Sequence, residues 1–241
     1  MPVRHPAQPR QVLASLAGGL VVSCQARPGN PMHGPAALAL MAQAAELGGA
    51  RGLRVNGPAD LAAIRGVSSL PIMAINKVEH GDSPVMITPT LASARSLLDA
   101  GARIVALDAT ARTRPDGERL RDIVQAIHDE GAVAMGDLAG MRDLATAMEA
   151  EIDAVGTTLS GYTGGQVPED PDFALLSWLV RHSPVPVFAE GRYWTREQVV
   201  QAFELGASFV VVGTAITNPM AITSRFVEAI AAMDREDQHG G

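Results

Sequence analysis

Several residue types are scarce in this chain, and each shortage excludes a class of protein or site. A single cysteine, Cys24, among 241 residues excludes an internal disulfide, and the CxxC and HExxH spacings of common zinc sites are absent. We therefore expect no metal site. A net charge of −7 without any basic run argues against binding to a nucleic-acid backbone. The chain has no apolar segment long enough for a signal peptide or a membrane anchor, which predicts a cytoplasmic protein with no membrane partner.

Aromatic residues are also scarce. They make up 4% of the chain, whereas hydrophobic residues of all kinds make up 47%. This composition indicates a core of Ala, Val, Leu and Ile, which is typical of parallel strands covered by alanine-rich helices. One pattern repeats along the chain: a helix-like segment ends in a glycine-containing turn, and a short apolar run follows. Residues 99–103 and then 104–110 are an example.

The repeated pattern predicts eight strands that alternate with helices, and the chain length fits one large domain. Such alternation indicates parallel βαβ units. The first strand is not followed by a Gly-x-Gly-x-x-Gly turn, so eight units favour a (β/α)8 barrel, the TIM barrel of the α/β class, over a doubly wound open sheet, which stays the alternative. We expect one barrel domain over 16–233, a partly flexible segment or short helix over 1–15, and a flexible tail over 234–241. The predicted strands are 19–24, 51–55, 71–76, 103–108, 132–137, 153–158, 185–190 and 208–212, and the clearest helices are 35–47, 91–100, 120–130 and 197–205.

Lysine is the scarcest charged residue. Lys77 is the only lysine among 19 basic residues, and it follows the apolar run 71–76 at the predicted end of a strand. Arginine keeps its proton at accessible pH, whereas a partly buried lysine shifts its pKa readily. TIM barrels carry their chemistry at the C-terminal ends of the strands. Lys77 is therefore our first candidate for a catalytic acid or base, although codon bias could also have left one lysine by chance.

Polar residues follow nearly every predicted strand, after runs that are nearly all apolar. Loops are often polar without a functional reason, and this alternative explains any one of these residues. It explains a Lys, a Glu, two Asp, two Arg and a Gln at the same end of the barrel poorly. We therefore expect the active site at this end. The candidate residues are Gln25, Arg54, Asn56, Lys77, Asp108, Thr110, Asp137, Thr157, Ser160 and Glu190.

The loops after the seventh and eighth strands predict a phosphate site. They contain Gly191-Arg192 and Gly213-Thr214. In TIM barrels these two loops commonly bind phosphate through backbone N–H groups, and glycine lets the backbone approach an anion closely. Arg192 would add positive charge, or it is a surface arginine without a ligand. A phosphorylated small molecule is therefore the predicted substrate.

A lysine and a carboxylate without a metal or redox cofactor suggest proton abstraction next to a carbonyl. A partly desolvated neutral amine removes the carbon-bound proton, and nearby donors stabilise the enolate that develops. Glu190 would pair with Lys77 or act as an acid or base itself. Two alternatives stay open: a Schiff base on Lys77, as in an aldolase, and a purely structural salt bridge.

Eight segments of the chain carry a family resemblance: 18–26, 52–57, 87–90, 106–110, 114–117, 155–163, 189–192 and 212–217. The Ser-Cys-Gln of the first and the Gly-Thr-Thr-Leu-Ser-Gly-Tyr-Thr of the sixth are the most specific. On these motifs the chain resembles the N-acetylmannosamine-6-phosphate 2-epimerases of bacterial sialic acid catabolism. The similarity runs in order from about residue 11 to about residue 230.

The resemblance implies a cofactor-free epimerisation at C2 that interconverts N-acetylmannosamine 6-phosphate and N-acetylglucosamine 6-phosphate. It also implies that the enzyme forms dimers. The apolar stretch 226–233 would then supply a helix for the interface, or it is the eighth barrel helix packed within its own chain. Residue by residue, the resemblance implies that Lys77 and Glu190 are catalytic, that Gln25 and Arg54 contact the substrate, and that Asp108 and Asp137 are carboxylates of the pocket.

The chain departs from that family at three places. The lysine is followed by Val78-Glu79-His80, Asp137 is followed by Leu138-Ala139, and Asn218 stands where an arginine is usual. If that arginine binds phosphate in relatives, then Asn218 weakens the binding or leaves it to Arg192. These departures keep open a third possibility, a phosphosugar-binding barrel that has lost catalysis.

Overall fold

A computed structural model describes the backbone of residues 7–239 and the side chains of residues 11–233. Eight parallel strands form a closed barrel in sequential order, and β1 pairs with β8 to close it. The predicted (β/α)8 barrel in a single domain is therefore confirmed. The strands are β1 Leu20–Cys24, β2 Gly52–Asn56, β3 Ile72–Ile75, β4 Ile104–Asp108, β5 Val133–Asp137, β6 Ala154–Gly156, β7 Val187–Glu190 and β8 Phe209–Val212.

Helices follow or precede the strands around the outside of the barrel. Each of the four helices predicted most clearly is present, with ends within one residue of the prediction. Local sequence explains several of the starts: Thr90 and Thr195 each accept from the third residue of the helix that follows, and that residue reaches back to the cap. The helices are α1 Ala7–Leu16, α2 Pro35–Leu47, α3 Pro58–Arg65, α4 Leu91–Asp99, α5 Leu120–Asp129, α6 Asp143–Glu149, α7 Phe173–His182, α8 Arg196–Glu204, α9 Thr214–Thr217 and α10 Pro219–His239.

Side chains alternate along every strand between the barrel interior and the helices. The interior side is packed with apolar residues, and the rings of Phe188 and Phe209 stack there with centroids 5.2 Å apart. Leu13 and Leu16 of α1 belong to the same interior cluster. The remaining strand residues of that cluster are Val21, Met73, Ile75, Ile104, Ala106, Val133, Met135, Ala154 and Val211. The interior is therefore a filled core, and open space for a ligand is left only at the ends of the strands.

The last interior-facing position of a strand, or the next one beyond it, is polar in seven of the eight cases. Two residues beyond an apolar residue of the interior cluster, the same face presents a charged group at the ends of four strands. Because all eight strands are parallel, these groups meet at one end of the barrel. They are Gln25, Arg54, Lys77, Asp108, Asp137, Thr158 and Glu190.

The ends of the chain extend beyond the barrel. Helix α1 covers most of the predicted segment 1–15, and α10 continues past residue 233 to His239. Residues 1–6 and 240–241 of the predicted terminal segments lie outside the described residues, and the predicted boundaries and flexibility stay predictions. Residues 223–233 of α10 are all exposed, although the guanidinium carbon of Arg225 lies over the ring of Trp194, 4.1 Å from its centroid. Among the described residues, the structure has no helix long and apolar enough to cross a membrane.

Candidate active site

The backbone of Lys77 is held from two sides, just beyond the end of β3. Its N–H donates to the side-chain oxygen of Asn56 at 2.8 Å, and the residue forms an antiparallel bridge with Ile87. Val78 N–H donates to the carbonyl of Met86 at 3.0 Å, which closes a short hairpin. Residues 78–80, which depart from the family that the chain resembles, therefore lead into the turn of this hairpin. Lys77 itself is fixed by the ends of β2 and β3.

The amine of Lys77 donates to an amide oxygen. Lys77 Nζ lies 2.8 Å from Gln25 Oε1, and Gln25 Nε2 in turn donates to Ser23 Oγ at 2.7 Å. Although the residue as a whole is exposed, protein atoms crowd its ammonium group, and this desolvation is the main cause that lowers the pKa of Lys77. The positive charge of Arg54 lowers it further, against the opposing charges of Glu190 and Asp137. A neutral amine is therefore more accessible here than in water.

Arg54 joins two carboxylates at the floor of the site. Its guanidinium donates to both oxygens of Asp137, at 3.1 and 2.5 Å, and to Glu190 Oε2 at 2.7 Å. Only 1% of Arg54 and none of Asp137 is exposed. Within the described part of the chain, Arg54 Nε is buried without a hydrogen-bond partner. Two positive and two negative groups, Arg54 and Lys77 against Asp137 and Glu190, thus balance in charge inside a poorly solvated site.

The carboxyl of Glu190 takes up a proton more easily than a glutamate in water does. Burial raises its pKa to about 7, and the charge of Asp137 adds to the rise. Arg54, a hydrogen bond from Thr158 and the charge of Lys77 oppose it. Among the described residues, Glu190 Oε1 has no hydrogen-bond partner, and 13% of the side chain is exposed. Near neutral pH this carboxyl can therefore hold or release a proton toward the open end of the barrel.

Three hydroxyls follow β6, and they have different roles. Thr157 Oγ bonds to the backbone of Glu190, donating to its carbonyl at 2.8 Å and accepting from its N–H at 3.1 Å. Ser160 Oγ donates to Asp172 at 2.6 Å, and Asp172 caps α7. Thr158 Oγ instead lies 2.7 Å from Asp137 Oδ1 and 3.1 Å from Glu190 Oε2. The structure thus brings Thr158 into the charged cluster and gives Thr157 and Ser160 bonds within the protein.

Thr158 was missed by the sequence-based choice of Thr157 and Ser160. The signal that could have found it is the alternation of side chains along β6. Ala154 belongs to the interior cluster and Val155 to the outer one, so Thr158 shares the interior face with Ala154 and Thr157 does not. That Thr157 and Ser160 bind substrate stays a prediction.

Asp108 belongs to a separate group of bonds. Its Oδ1 accepts from the N–H and the hydroxyl of Thr110, at 2.9 and 2.7 Å, and its Oδ2 accepts from Arg112 at 2.5 Å. Arg112 also donates to the carbonyl of Pro84 at 2.9 Å, in the hairpin that follows Lys77. Both oxygens of Asp108 are thus bonded within the protein. In this structure its carboxylate ties β4 to that hairpin, and its predicted contact with substrate stays a prediction.

The predicted phosphate residues lie at the ends of β7 and β8. Gly191 has a φ of 111°, which favours glycine, and a Cβ added at Gly213 would come within 3.2 Å of Ser23 Cβ. The guanidinium of Arg192 donates to the carbonyls of Asp170, at 2.7 Å, and of Ser160. It also lies over the ring of Tyr162, 5.5 Å from its centroid. Much of the hydrogen-bonding capacity of Arg192 is therefore directed to the β6–α7 loop.

Asn218 stands where the family that the chain resembles usually has an arginine, and its side chain is hydrogen-bonded within the protein. Its Oδ1 accepts from Asn30 Nδ2 at 3.2 Å and from the N–H of Ala221 at 3.1 Å. The first bond ties the β1–α2 loop to the start of α10, and the second caps that helix. Among the described residues, no group of three His, Cys, Asp or Glu side chains could hold a metal ion.

The geometry suits proton transfer to and from carbon. An amine with a lowered pKa and a carboxyl whose pKa is raised to about 7 share one site, so the neutral form of each is more accessible than in water. Arg54 adds a fixed positive charge that a developing oxyanion requires. Arg54 and Glu190 come from strands β2 and β7, and Lys77 follows directly after β3, so the barrel holds all three groups in place.

A family model, two relatives and a solved structure similar to this chain carry the same kind of name. The family model, described as "Putative N-acetylmannosamine-6-phosphate epimerase", matches residues 38–232. A Cutibacterium acnes protein named for the 2-epimerase is 46% identical over 224 residues, which cover 91% of this chain and 97% of the relative. A Clostridioides difficile protein of the same name is 42% identical over 220 residues, which cover 91% of this chain and 99% of that relative. The structure of the N-acetylmannosamine-6-phosphate 2-epimerase from Clostridium perfringens is 42% identical, has a TM-score of 0.88, and covers 90% of this chain and 95% of that one.

Proposed function

Since the chain belongs to the N-acetylmannosamine-6-phosphate epimerase family and is an isomerase, we propose that it epimerises N-acetylmannosamine 6-phosphate to N-acetylglucosamine 6-phosphate at C2 without a cofactor. The observation that carries the proposal is that Lys77 lies at the C-terminal end of the barrel within range of the charges of Arg54, Asp137 and Glu190, which are joined to one another. The only lysine of the chain stands there with a lowered pKa. A cytoplasmic location stays a prediction.

In the proposed mechanism the sugar is in its open form, so that the C1 aldehyde makes the C2 proton acidic. Neutral Lys77 removes that proton, and the pair of electrons moves onto the aldehyde oxygen to form an enolate. The charge of Arg54 and the proton of a neutral Glu190 carboxyl stabilise this oxygen. Return of a proton to the opposite face of C2 completes the epimerisation. Either Lys77 or Glu190 can deliver that proton.

The neutral, unprotonated state of the Lys77 amine is central to this mechanism. An ammonium group cannot accept a proton, so only the neutral fraction of Lys77 is active. Desolvation and Arg54 increase that fraction, and the amide of Gln25 holds the nitrogen without adding negative charge. As long as Glu190 stays protonated, the turnover number should therefore rise with pH as the neutral fraction of Lys77 increases.

We propose that the phosphate group lies against Gly191, Arg192, Gly213 and Thr214. Glycines at the ends of β7 and β8 let backbone N–H groups approach an anion. Arg192 supports this assignment by its charge, although its Nε and one of its terminal nitrogens bond to carbonyls. Backbone donors would then carry more of the binding than they do in relatives with an arginine in place of Asn218.

We also propose that the enzyme is a homodimer and that α10 contributes to the interface. Phe226, Val227, Ile230 and Met233 are between 59 and 70% exposed. Their spacing places them along one face of the helix. A contiguous apolar face of this kind on a helix end is typical of a surface that another chain covers.

The test of the proposed reaction is proton NMR of each hexosamine phosphate in deuterated water with the protein. We expect deuterium to replace the C2 proton and the second epimer to appear. Lys77→Arg keeps the positive charge but cannot lose its proton, so exchange should fall by about 10²–10⁴-fold while the fold is retained. Near-normal exchange in that variant would remove Lys77 from the mechanism. Binding without exchange in the wild-type protein would instead favour a non-catalytic phosphosugar-binding barrel, and an adduct trapped on Lys77 by borohydride would favour Schiff-base chemistry.

A further inference from the structure

The hydroxyl of Thr158 lies between two carboxylates that Arg54 already holds. Its oxygen is 2.7 Å from Asp137 Oδ1 and 3.1 Å from Glu190 Oε2. Both distances allow a hydrogen bond, but a hydroxyl has only one proton to donate. At any moment Thr158 can therefore donate to one carboxylate only, and the other loses that donor.

The other groups that face Glu190 cannot make this exchange. Arg54, from β2, donates to both carboxylates at once and does not lose its proton. Lys77, beyond β3, and Asp137, from β5, act on Glu190 through their charges. Thr158, beyond β6, is the neutral hydrogen-bond partner of the Glu190 carboxyl within the described residues, and its donor can rotate.

We propose that Thr158 is a positioning residue of the proposed epimerase, whose single hydroxyl proton is divided between Glu190 and Asp137 and so determines how readily Glu190 takes up a proton. The inference rests on the proposed function for its role in catalysis. When Glu190 is ionised, Thr158 donates to it part of the time. When Glu190 is protonated, Thr158 donates wholly to Asp137 Oδ1, the nearer of the two carboxylate oxygens.

This division has a definite direction. A donor stabilises the charged form of a carboxyl, and the hydrogen bond from Thr158 lowers the pKa of Glu190. Removal of the hydroxyl should therefore let Glu190 take up its proton at higher pH. Because the bond is shared and the longer of the two, we expect an increase of about one pH unit, at the low end for a hydrogen bond to a charged group.

The experiment is a titration of the full-length protein that carries ¹³C-labelled glutamate carboxyls. The Glu190 resonance is assigned by its loss in Glu190→Gln, and its pKa is measured in wild type, Thr158→Val, Thr158→Ser and Thr157→Val. Thr158→Val should raise the pKa by about one unit, and Thr158→Ser, which keeps the hydroxyl, should leave it close to the wild-type value. Thr157→Val is the matched control, since that hydroxyl bonds to the backbone of Glu190 rather than to its carboxyl. It should lower thermal stability without moving the pKa.

An unchanged pKa in Thr158→Val, or an equal rise in Thr158→Ser or Thr157→Val, would overturn the inference. The second readout is the pH profile of the turnover number. One apparent pKa of this profile should equal the pKa measured from the Glu190 resonance. In Thr158→Val that apparent pKa should rise by the same amount as the resonance, with the Michaelis constant little changed. If the wild-type protein does not epimerise the sugar, the proposed function fails but the titration still tests Thr158. If it does epimerise and the pKa does not move, only the inference about Thr158 fails.

Discussion

Lys77 Nζ donates to Gln25 Oε1 across 2.8 Å, so the partner of the only lysine is a neutral amide rather than a carboxylate. A carboxylate in direct contact would stabilise the ammonium form and keep the amine protonated. Gln25 fixes the nitrogen without that effect, and Ser23 in turn fixes Gln25. The pair thus reconciles two needs of a general base, a defined position and an accessible neutral state.

Gln25→Glu tests this relationship with almost no change of shape. The new carboxylate beside Lys77 should raise the pKa of the amine by about one unit or more, so the neutral fraction of Lys77, and with it the turnover number at neutral pH, should fall by about tenfold or more. Gln25→Ala is the control, because it removes the partner without adding charge, and its turnover number should fall less. Equal turnover numbers in Gln25→Glu and Gln25→Ala at neutral pH would contradict the explanation.

Loss of the Arg54 guanidinium should destabilise the fold more than loss of any exposed arginine. Arg54→Gln leaves the buried carboxylates of Asp137 and Glu190 without their cation, for an expected cost of about 3–5 kcal/mol in the free energy of unfolding at pH 8. The cost should shrink at low pH as Glu190 takes up its proton. Arg119→Gln is the comparison, since the Arg119–Asp122 pair is exposed and its loss should leave the free energy of unfolding almost unchanged. Equal costs in the two variants, measured by urea denaturation, would show that the buried cluster adds no stability.

Glu190→Gln should stabilise the protein relative to wild type as the pH rises. The pKa of Glu190 is about 7 in the folded chain against an ordinary value of 4.5, so the folded state binds the proton more tightly. Stability from this group is present below pH 4.5 and is lost as the pH rises through 7. Between pH 5 and 8 the wild-type free energy of unfolding should therefore fall by about 2 kcal/mol relative to that of Glu190→Gln. Parallel pH profiles of stability, measured by urea denaturation, would mean that the carboxyl titrates normally. The turnover number of the variant should fall sharply with little change in substrate binding.

The exposed face of α10 predicts the oligomeric state. Light scattering should give the mass of a dimer for the wild-type chain, and Phe226→Ser with Ile230→Ser should give a monomer, because both side chains are more than 60% exposed on their own chain. Leu47→Ser is the matched control, since Leu47 is 90% exposed on α2, outside the proposed interface. A wild-type monomer, or a dimer that survives the double substitution, would rule out this interface.

The strands and the major helices were predictable because their signal is local. Short apolar runs, several of them preceded by a helix with a glycine turn, need no long-range information to be recognised. The candidate site was predictable to the extent that it depends on the same rule: Lys77, Asp137 and Glu190 stand where parallel strands end. Thr158 could have been chosen over Thr157 from the alternation along β6, and the contacts of Arg192 with the β6–α7 loop could not have been foreseen from the sequence.

The sequence by itself determined the alternation of strands and helices, the single lysine at the end of a strand, and the family motifs, since each is written in neighbouring residues. Only the tertiary structure decided which groups touch. Arg54 meets Asp137 across 83 residues and Glu190 across 136, and Lys77 meets Gln25 across 52. Those contacts depend on the closure of the barrel and on the register between strands, which place distant residues at one depth of the same interior. The sequence therefore contained the acid and base, and the closed barrel set their partners and their pKa values.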